Sequence, residues 1–512
     1  MPERYHIDFS QVTMNTTLST DKRIPPLYTL VQNVSTASAG SLSRRDGYEV
    51  VATDTPLTAG SAAINGVTPT VIGNTGTVLA NAVAVTPTKI YFLSLRVAGW
   101  ADVTPASAPT DVVGYQYAWG LNAAQVQVVY LAPSSATAGG KIYSVTHALG
   151  TTVLLGQGTN GFVTARCCAY FLNRLWVGGS AKSGSVQNDL VQYSVAGDHN
   201  DFNGTGSGTL SLKPPYGLNN AMEGMAVYNG RLYFAAGASL MVLTGNTPST
   251  FGAQFVTRVN IVSGATMIVV GGYLWWVDTD GIWQFNGTKA VNIHGRDILG
   301  TTISLVNISY ASSSWDERQG IVRFFFPTSS FMLEYNYNHQ TWKKQVFAGA
   351  TPINVIGPPC AKLEGDSVNY LMGGTTGGKV YVSHNNTTTD DGTTPTMTLT
   401  SGAIHLAAMS NQGTYGDEFR LVTLELHCKR QTSDVTYKIT WQTDTQPTAE
   451  SQRTLTVTGT TATDIPYVVN ANALLPTHRT GKYLQFTLVE ETASVISSLR
   501  GMTFYFEVGK KN

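Results

Sequence analysis

The chain has 512 residues, 32 basic and 32 acidic, with only 12 % charged side chains in all. This balance excludes a nucleic-acid binder that works by neutralising phosphates, since that needs a basic surface, but it allows a conduit through which DNA slides. An ordinary length prior gives about three domains and a sizeable core.

The cysteines Cys167, Cys168, Cys360 and Cys428 show no CxxC or ligand-like spacing. They read as buried free thiols, and such sparse use fits assembly in a reducing cytosol. Met1 to Thr20 lacks the apolar segment of a secretory signal. The most apolar run, Met267 to Val277, is about half a membrane span and is broken by Gly271 and Gly272. A soluble chain not exported by a standard N-terminal signal is expected, with no membrane segment.

Residues 1–85 are rich in Thr, Ala, Gly and Val and poor in aromatics, with a basic spot at Arg44-Arg45. They read as an N-terminal arm that packs on another domain or on a neighbouring subunit, with disorder in isolation as the alternative. From about Pro87 a repeating strand pattern begins. Lys89-Ile90-Tyr91-Phe92-Leu93 is followed by related strands centred on Ile142, Val191, Met241, Ile282, Met332 and Val380. The spacing of about 40–50 residues is that of four-stranded propeller blades. Val227 to Asn286 shows it best, as two hairpins of aromatic and β-branched runs around Gly-rich and Asp-rich turns. A β-propeller over 86–386 is expected. Six blades are favoured if the Ile90 strand closes the ring on the last blade, and seven follow if it belongs to a blade of its own. Polar insertions such as Asp201 to Gly208 read as loops on one face of the ring.

After Ser383 the composition turns linker-like, and residues 387–512 alternate strictly. Val422, Leu424, Leu426 and Cys428 face one way, as do Val435, Tyr437, Ile439 and Trp441, then Leu484, Phe486 and Leu488, and Met502, Phe504, Phe506 and Val508. Period-two alternation over several strands predicts an antiparallel β-sandwich. The fold class is therefore all-β.

Candidate chemistry is thin. Asp278-Thr279-Asp280-Gly281 resembles the start of a calcium loop but lacks its distal Glu, and other blades fill the same turn with unrelated residues, so a plain hairpin turn is expected. Gly373 to Lys379 has phosphate-loop spacing, yet Val380 stands where Ser or Thr would hold magnesium and a strand follows. Neither a GxSxG elbow nor an HExxH pair occurs. Asp198-His199-Asn200-Asp201, with Glu223 further on, reads as solvated turn residues rather than an acid–base pair. Trp275, Trp276 and Trp283 could stack on sugars, but their alternation assigns most of them to the blade core. No catalytic residue, cofactor or metal site is expected.

Four stretches together resemble the tail hub or nozzle proteins of short-tailed bacteriophages, also described as tail tubular protein B or packaged-DNA stabilisation proteins. They are GSLSRRDGYEVV around Arg44-Arg45, Asp189 to Phe202, Met222 to Asn286, and Thr477 to Val508. The resemblance runs in order from about residue 40 to the end; the first 85 residues and the low charge depart from it. It implies a non-enzymatic virion protein forming a ring, usually a hexamer, below the head-to-tail adaptor ring. Its two chain ends would form a platform, and its propeller would hang around a channel for duplex DNA, with a tail needle, spike or fibre beyond. The alternative is a propeller that binds host-surface glycans. A glycan hydrolase or lyase would need paired carboxylates, which the sequence does not offer.

Overall fold

The computed structural model describes residues 3–8, 13–14, 27–35, 42–51, 62–71, 81–94, 99–107, 109, 114–133, 140–148, 150–156, 164–179, 181–182, 185–186, 189–213, 222–295, 297–298, 301–302, 308–360, 370–383, 388–406, 418–428, 434–457, 466–470, 480–490 and 498–509. The chain forms two compact units: Glu49–Met332 with Thr351–Ser383, and Met1–Tyr48 with Leu333–Ala350 and His384–Asn512.

The larger unit is a β-propeller of antiparallel four-stranded blades, each running from an innermost to an outermost strand. The first blade comprises Gly66–Pro69, Ala82–Val85, Ile90–Leu93 and Trp100–Asp102. The next four start with the innermost strands Tyr115–Leu121, Cys167–Phe171, Met222–Tyr228 and Ile268–Val270. A sixth opens with the hairpin Ser312–Asp316 and Ile321–Phe326, and the chain runs on through Phe331–Asn336 and Thr341–Val346. The seventh comprises Ile353–Pro359, Tyr370–Gly374 and Val380–Ser383, with Tyr48–Val50 as its outermost strand.

Seven blades replace the six that were favoured. Ile90–Leu93 does not close the ring: it pairs with Ala82–Val85 and Trp100–Asp102 as the third strand of its own blade. Closure comes from far upstream, where the Val51 amide donates to the Val380 carbonyl at 2.8 Å. The arm expected over 1–85 is accordingly split, because 66–69 and 82–85 are blade strands. The Ala and Val side chains of 82–85 are wholly buried, so small residues build this blade's second strand, while Tyr91 and Phe92 are buried on its third.

Blades hold together through the faces they turn to one another. Trp176, Phe234, Met222 and Met241 join the third blade to the fourth, while Tyr233, Leu274, Trp276 and Phe285 join the fourth to the fifth. Val67, Ala84 and Tyr91 meet Val355, Leu371 and Val380 where the first blade meets the last. Each large apolar side chain buried this way contributes about 1.5–3 kcal/mol. This is why the third strands, rich in β-branched and aromatic residues, recur so visibly in the sequence.

The smaller unit is a two-sheet sandwich. One sheet has the order Val34–Ser35, Leu42–Arg44, Ser498–Gly509, Glu418–Cys428 and Pro466–Asn470, with Glu3–Asp8 also pairing along Ser498–Gly509. The other contains Leu27–Gln32, Met397–Ser401, Tyr483–Glu490, Val435–Thr443 and Gln446–Val457. Both chain ends therefore contribute to one fold. Tyr437, Ile439, Leu488 and Phe504 are buried as the alternation predicts, and Phe486 meets Phe504 across the sheets at 5.5 Å between ring centroids. Val422 departs from it. A bulge between Leu421 and Thr423 flips the phase, so that Phe419 and Leu421 share the buried side with Leu424 and Leu426 while Val422 is half-buried.

Candidate functional site

The turn motifs of the propeller are hairpins. Asp278 Oδ1 accepts hydrogen bonds from the Asp280 amide and the Trp283 Nε1, both at 2.8 Å, and its side chain is buried. Burial pushes its carboxyl up, against those two donors. Among the described residues no group of three or more His, Cys, Asp or Glu side chains could hold a metal ion. Gly373 to Lys379 joins Tyr370–Gly374 to Val380–Ser383, with Gly377 and Gly378 left-handed as a tight turn requires. Trp275 and Trp276 are fully buried, and Trp276 stacks parallel to Trp283 at 6.4 Å. Cys167, Cys168 and Cys360 are buried free thiols whose pKa values burial raises, Cys360 to about 12.

The polar cluster after the third blade's third strand does not assemble with Glu223. Asp198 caps the Asn200 amide, Asp201 accepts from the Asn203 and Gly204 amides, and His199 is buried against Tyr130. Glu223 pairs instead with Arg166 at 3.3 Å. It is the extra residue of a β-bulge between Met222 and Gly224, and its carbonyl lies so close to Gly264 that a Cβ there would approach to 1.9 Å. Burial lifts the Glu223 carboxyl to about 7 although Arg166 opposes the shift.

The paired arginines of the resembling motif lie inside the sandwich unit. Arg44 faces Glu490 at 3.3 Å, both fully buried, and desolvation pulls the Arg44 guanidinium down against the pull of Glu490. Arg45 makes a bidentate pair with Asp390, its Nη1 reaching Oδ1 at 2.8 Å and its Nη2 reaching Oδ2 at 2.5 Å. Its remaining donors reach Asn33 Oδ1, the Asp46 carbonyl and the Val346 carbonyl. Two arginines that would mark a phosphate contact on a surface here tie together segments far apart in sequence.

A hollow of about 280 Å³ is lined by residues at the innermost strands of the second to seventh blades. The Gln116 amide reaches from the second blade to the inner strand of the fourth. Its Nε2 donates to the Met225 carbonyl at 2.7 Å and to the Gly264 carbonyl at 3.4 Å, and its Oε1 accepts from the Met225 amide. This bridge skips the third blade and floors the hollow. Trp119, Tyr170, Trp315 and Val227 line it toward the ends of their strands, and none of its lining residues carries a formal charge. Tight turns at Leu172–Asn173, Asn229–Gly230 and Gly271–Gly272 follow three of those strands, so no long insertion covers that side there. Sequence reasoning weighed Trp275, Trp276 and Trp283 and missed Trp119 and Trp315. The available signal was their place near the end of a blade's first strand, where the inward face has no further blade to cover it.

No family model matches the chain, and no curated protein matches it by sequence. Solved structures similar to it include virginiamycin B lyase from Staphylococcus aureus, 10 % identical with a TM-score of 0.41, covering 66 % of this chain and 99 % of that one. The β-propeller domain of Cps50 (Swd1) from Myceliophteria thermophila is 9 % identical with a TM-score of 0.39, covering 62 % and 98 %. U3-55K is 11 % identical with a TM-score of 0.41, covering 66 % and 98 %. Such distant likeness carries no argument about activity or partner; the chain is an all-β protein with a propeller module.

Proposed function

We propose that the chain is a structural subunit of a short-tailed phage tail, a hub or nozzle that assembles as a ring of identical copies around the path of the ejected genome. The observation that carries this reading is the topology. Leu42–Arg44 and Ser498–Gly509, from opposite ends of the chain, pair in one sheet, and the propeller is inserted between them, as the platform-and-propeller plan of the resembling family implies. The RRDG motif of that resemblance supplies the buried Arg44–Glu490 and Arg45–Asp390 pairs of the platform.

Gln116 ties the inner strand of the second blade to that of the fourth, and in this reading the DNA path runs between copies and not through a single propeller. A composition with balanced, sparse charge supports free passage, because phosphate contacts on the wall would act as brakes. A ring also multiplies a modest interface into a stable assembly. The head-to-tail adaptor above, and a needle, spike or fibre below, are the partners this reading entails. Negative-stain images of the purified protein test it: closed rings with a central hole are expected, and dispersed single chains at micromolar concentration would overturn it.

A further inference from the structure

We infer that the axial hollow of the propeller is a binding site for a single neutral sugar ring. The inference stands apart from the ring-forming role, since every residue it uses belongs to one propeller.

Three observations converge. The first is size: about 280 Å³ sits just under the roughly 300–1,000 Å³ of pockets that take drug-sized ligands, which suits one pyranose and excludes an extended chain lying within it. The second is the lining. Trp119, Tyr170 and Trp315 line it and are partly exposed, Trp119 tethered through Nε1 to the Pro69 carbonyl at 3.2 Å and Tyr170 stacked on Tyr130, whereas Trp275 and Trp276 of the blade cores are fully buried. An aromatic side chain left partly bare at a concave mouth offers a flat apolar face to the C–H side of a sugar, and its amphipathic edge tolerates water when the site is empty.

The third is the floor. Gln116 has its Nε2 committed to the Met225 and Gly264 carbonyls and its Oε1 to the Met225 amide, which leaves acceptor capacity on Oε1 and on both carbonyls. Ser313 Oγ, in the same lining, donates to the Ala265 carbonyl at 2.6 Å and keeps its own lone pairs. Acceptors at the bottom and aromatic surface at the sides match a ligand that is rich in hydroxyl donors and apolar on one face. A charged ligand is disfavoured, because none of the lining residues carries a charge to offset its desolvation.

The site also has a simple block. Val227 lines the hollow and is 36 % exposed, so a larger side chain there fills the mouth without removing any packing. Titration of the full-length protein with glucose, galactose, mannose and N-acetylglucosamine, followed by tryptophan fluorescence and saturation-transfer NMR, tests the proposal. Saturable binding of at least one neutral sugar in about the millimolar range is expected. Trp119→Ala and Trp315→Ala should each weaken it about tenfold, and Val227→Trp should abolish it while leaving the far-ultraviolet circular dichroism and the melting temperature unchanged. Absence of saturation with all four sugars, binding undiminished in Val227→Trp, or equal binding of glucuronate and glucose would each overturn the assignment.

Discussion

Replacing Arg45 by methionine removes one partner of a buried bidentate pair and leaves the Asp390 carboxylate, itself fully buried, with only the Ala348 amide as a remaining donor from this network. It also strips Asn33, Asp46 and Val346 of the hydrogen bonds that Arg45 gives them. Breaking a buried pair from one side costs about 3–5 kcal/mol. For a unit of about 150–250 residues each kcal/mol moves the melting temperature by about 2–4 °C, so the sandwich unit should melt about 6–20 °C lower. Scanning calorimetry on the full chain measures the shift, and hydrogen exchange in the 498–509 segment assigns it to the sandwich. The double variant Arg45→Met, Asp390→Leu buries no lone charge and should recover part of the loss, though the Ala348 amide stays unpaired. A single-variant shift below about 2 °C, or a double variant that loses the sum of both single losses, would refute the clamp.

Glu223 should make the propeller less stable as pH rises from about 4.5 through about 7. Its carboxyl titrates at about 7 when folded against 4.5 for an ordinary glutamate, so its contribution is complete below about pH 4.5 and is lost as pH rises through about 7, on the order of 3 kcal/mol. Glu223→Gln should flatten the stability profile between pH 5 and pH 8, and chemical denaturation at both values reads it; an unchanged slope would place the carboxyl elsewhere in its titration. Gly264→Ala should destabilise the same unit by about 1–3 kcal/mol, because its Cβ meets the Glu223 carbonyl backbone at 1.9 Å. Gly230→Ala meets nothing within 4 Å and carries only the strain of φ +70°, about 1–2 kcal/mol. Asp278→Ala should cost about 1–3 kcal/mol through the lost Trp283 and Asp280 hydrogen bonds. Calcium should leave the melting temperature of the unaltered protein unmoved.

The propeller was legible because its third strands repeat with aromatic bodies and turn residues at steady spacing, a pattern that burial between blades imposes. The first blade was signalled only by its third strand, Ile90–Leu93, because its second strand Ala82–Val85 fills its space with small side chains and carries no aromatic signature. Closure by Tyr48–Val50 is a pairing across more than 300 residues, which no local periodicity encodes. In the sandwich, alternation located the strands, while the bulge at Val422 shifted the buried face by one residue in a way that only the pairing partner reveals. The turn motifs read as hairpin turns once the blades are compared, and hairpins do join Tyr273–Asp278 to Gly281–Phe285 and Tyr370–Gly374 to Val380–Ser383. The axial hollow stayed hidden because its lining residues Gln116 and Trp119, Tyr170, and Trp315 come from three different blades and meet only when the ring closes.

The mass of the purified protein in solution tests the proposed role most directly. Mass photometry or sedimentation at micromolar concentration should give a closed ring near six times the 54.8 kDa chain. A stable monomer at every concentration tested would contradict a ring-forming tail subunit.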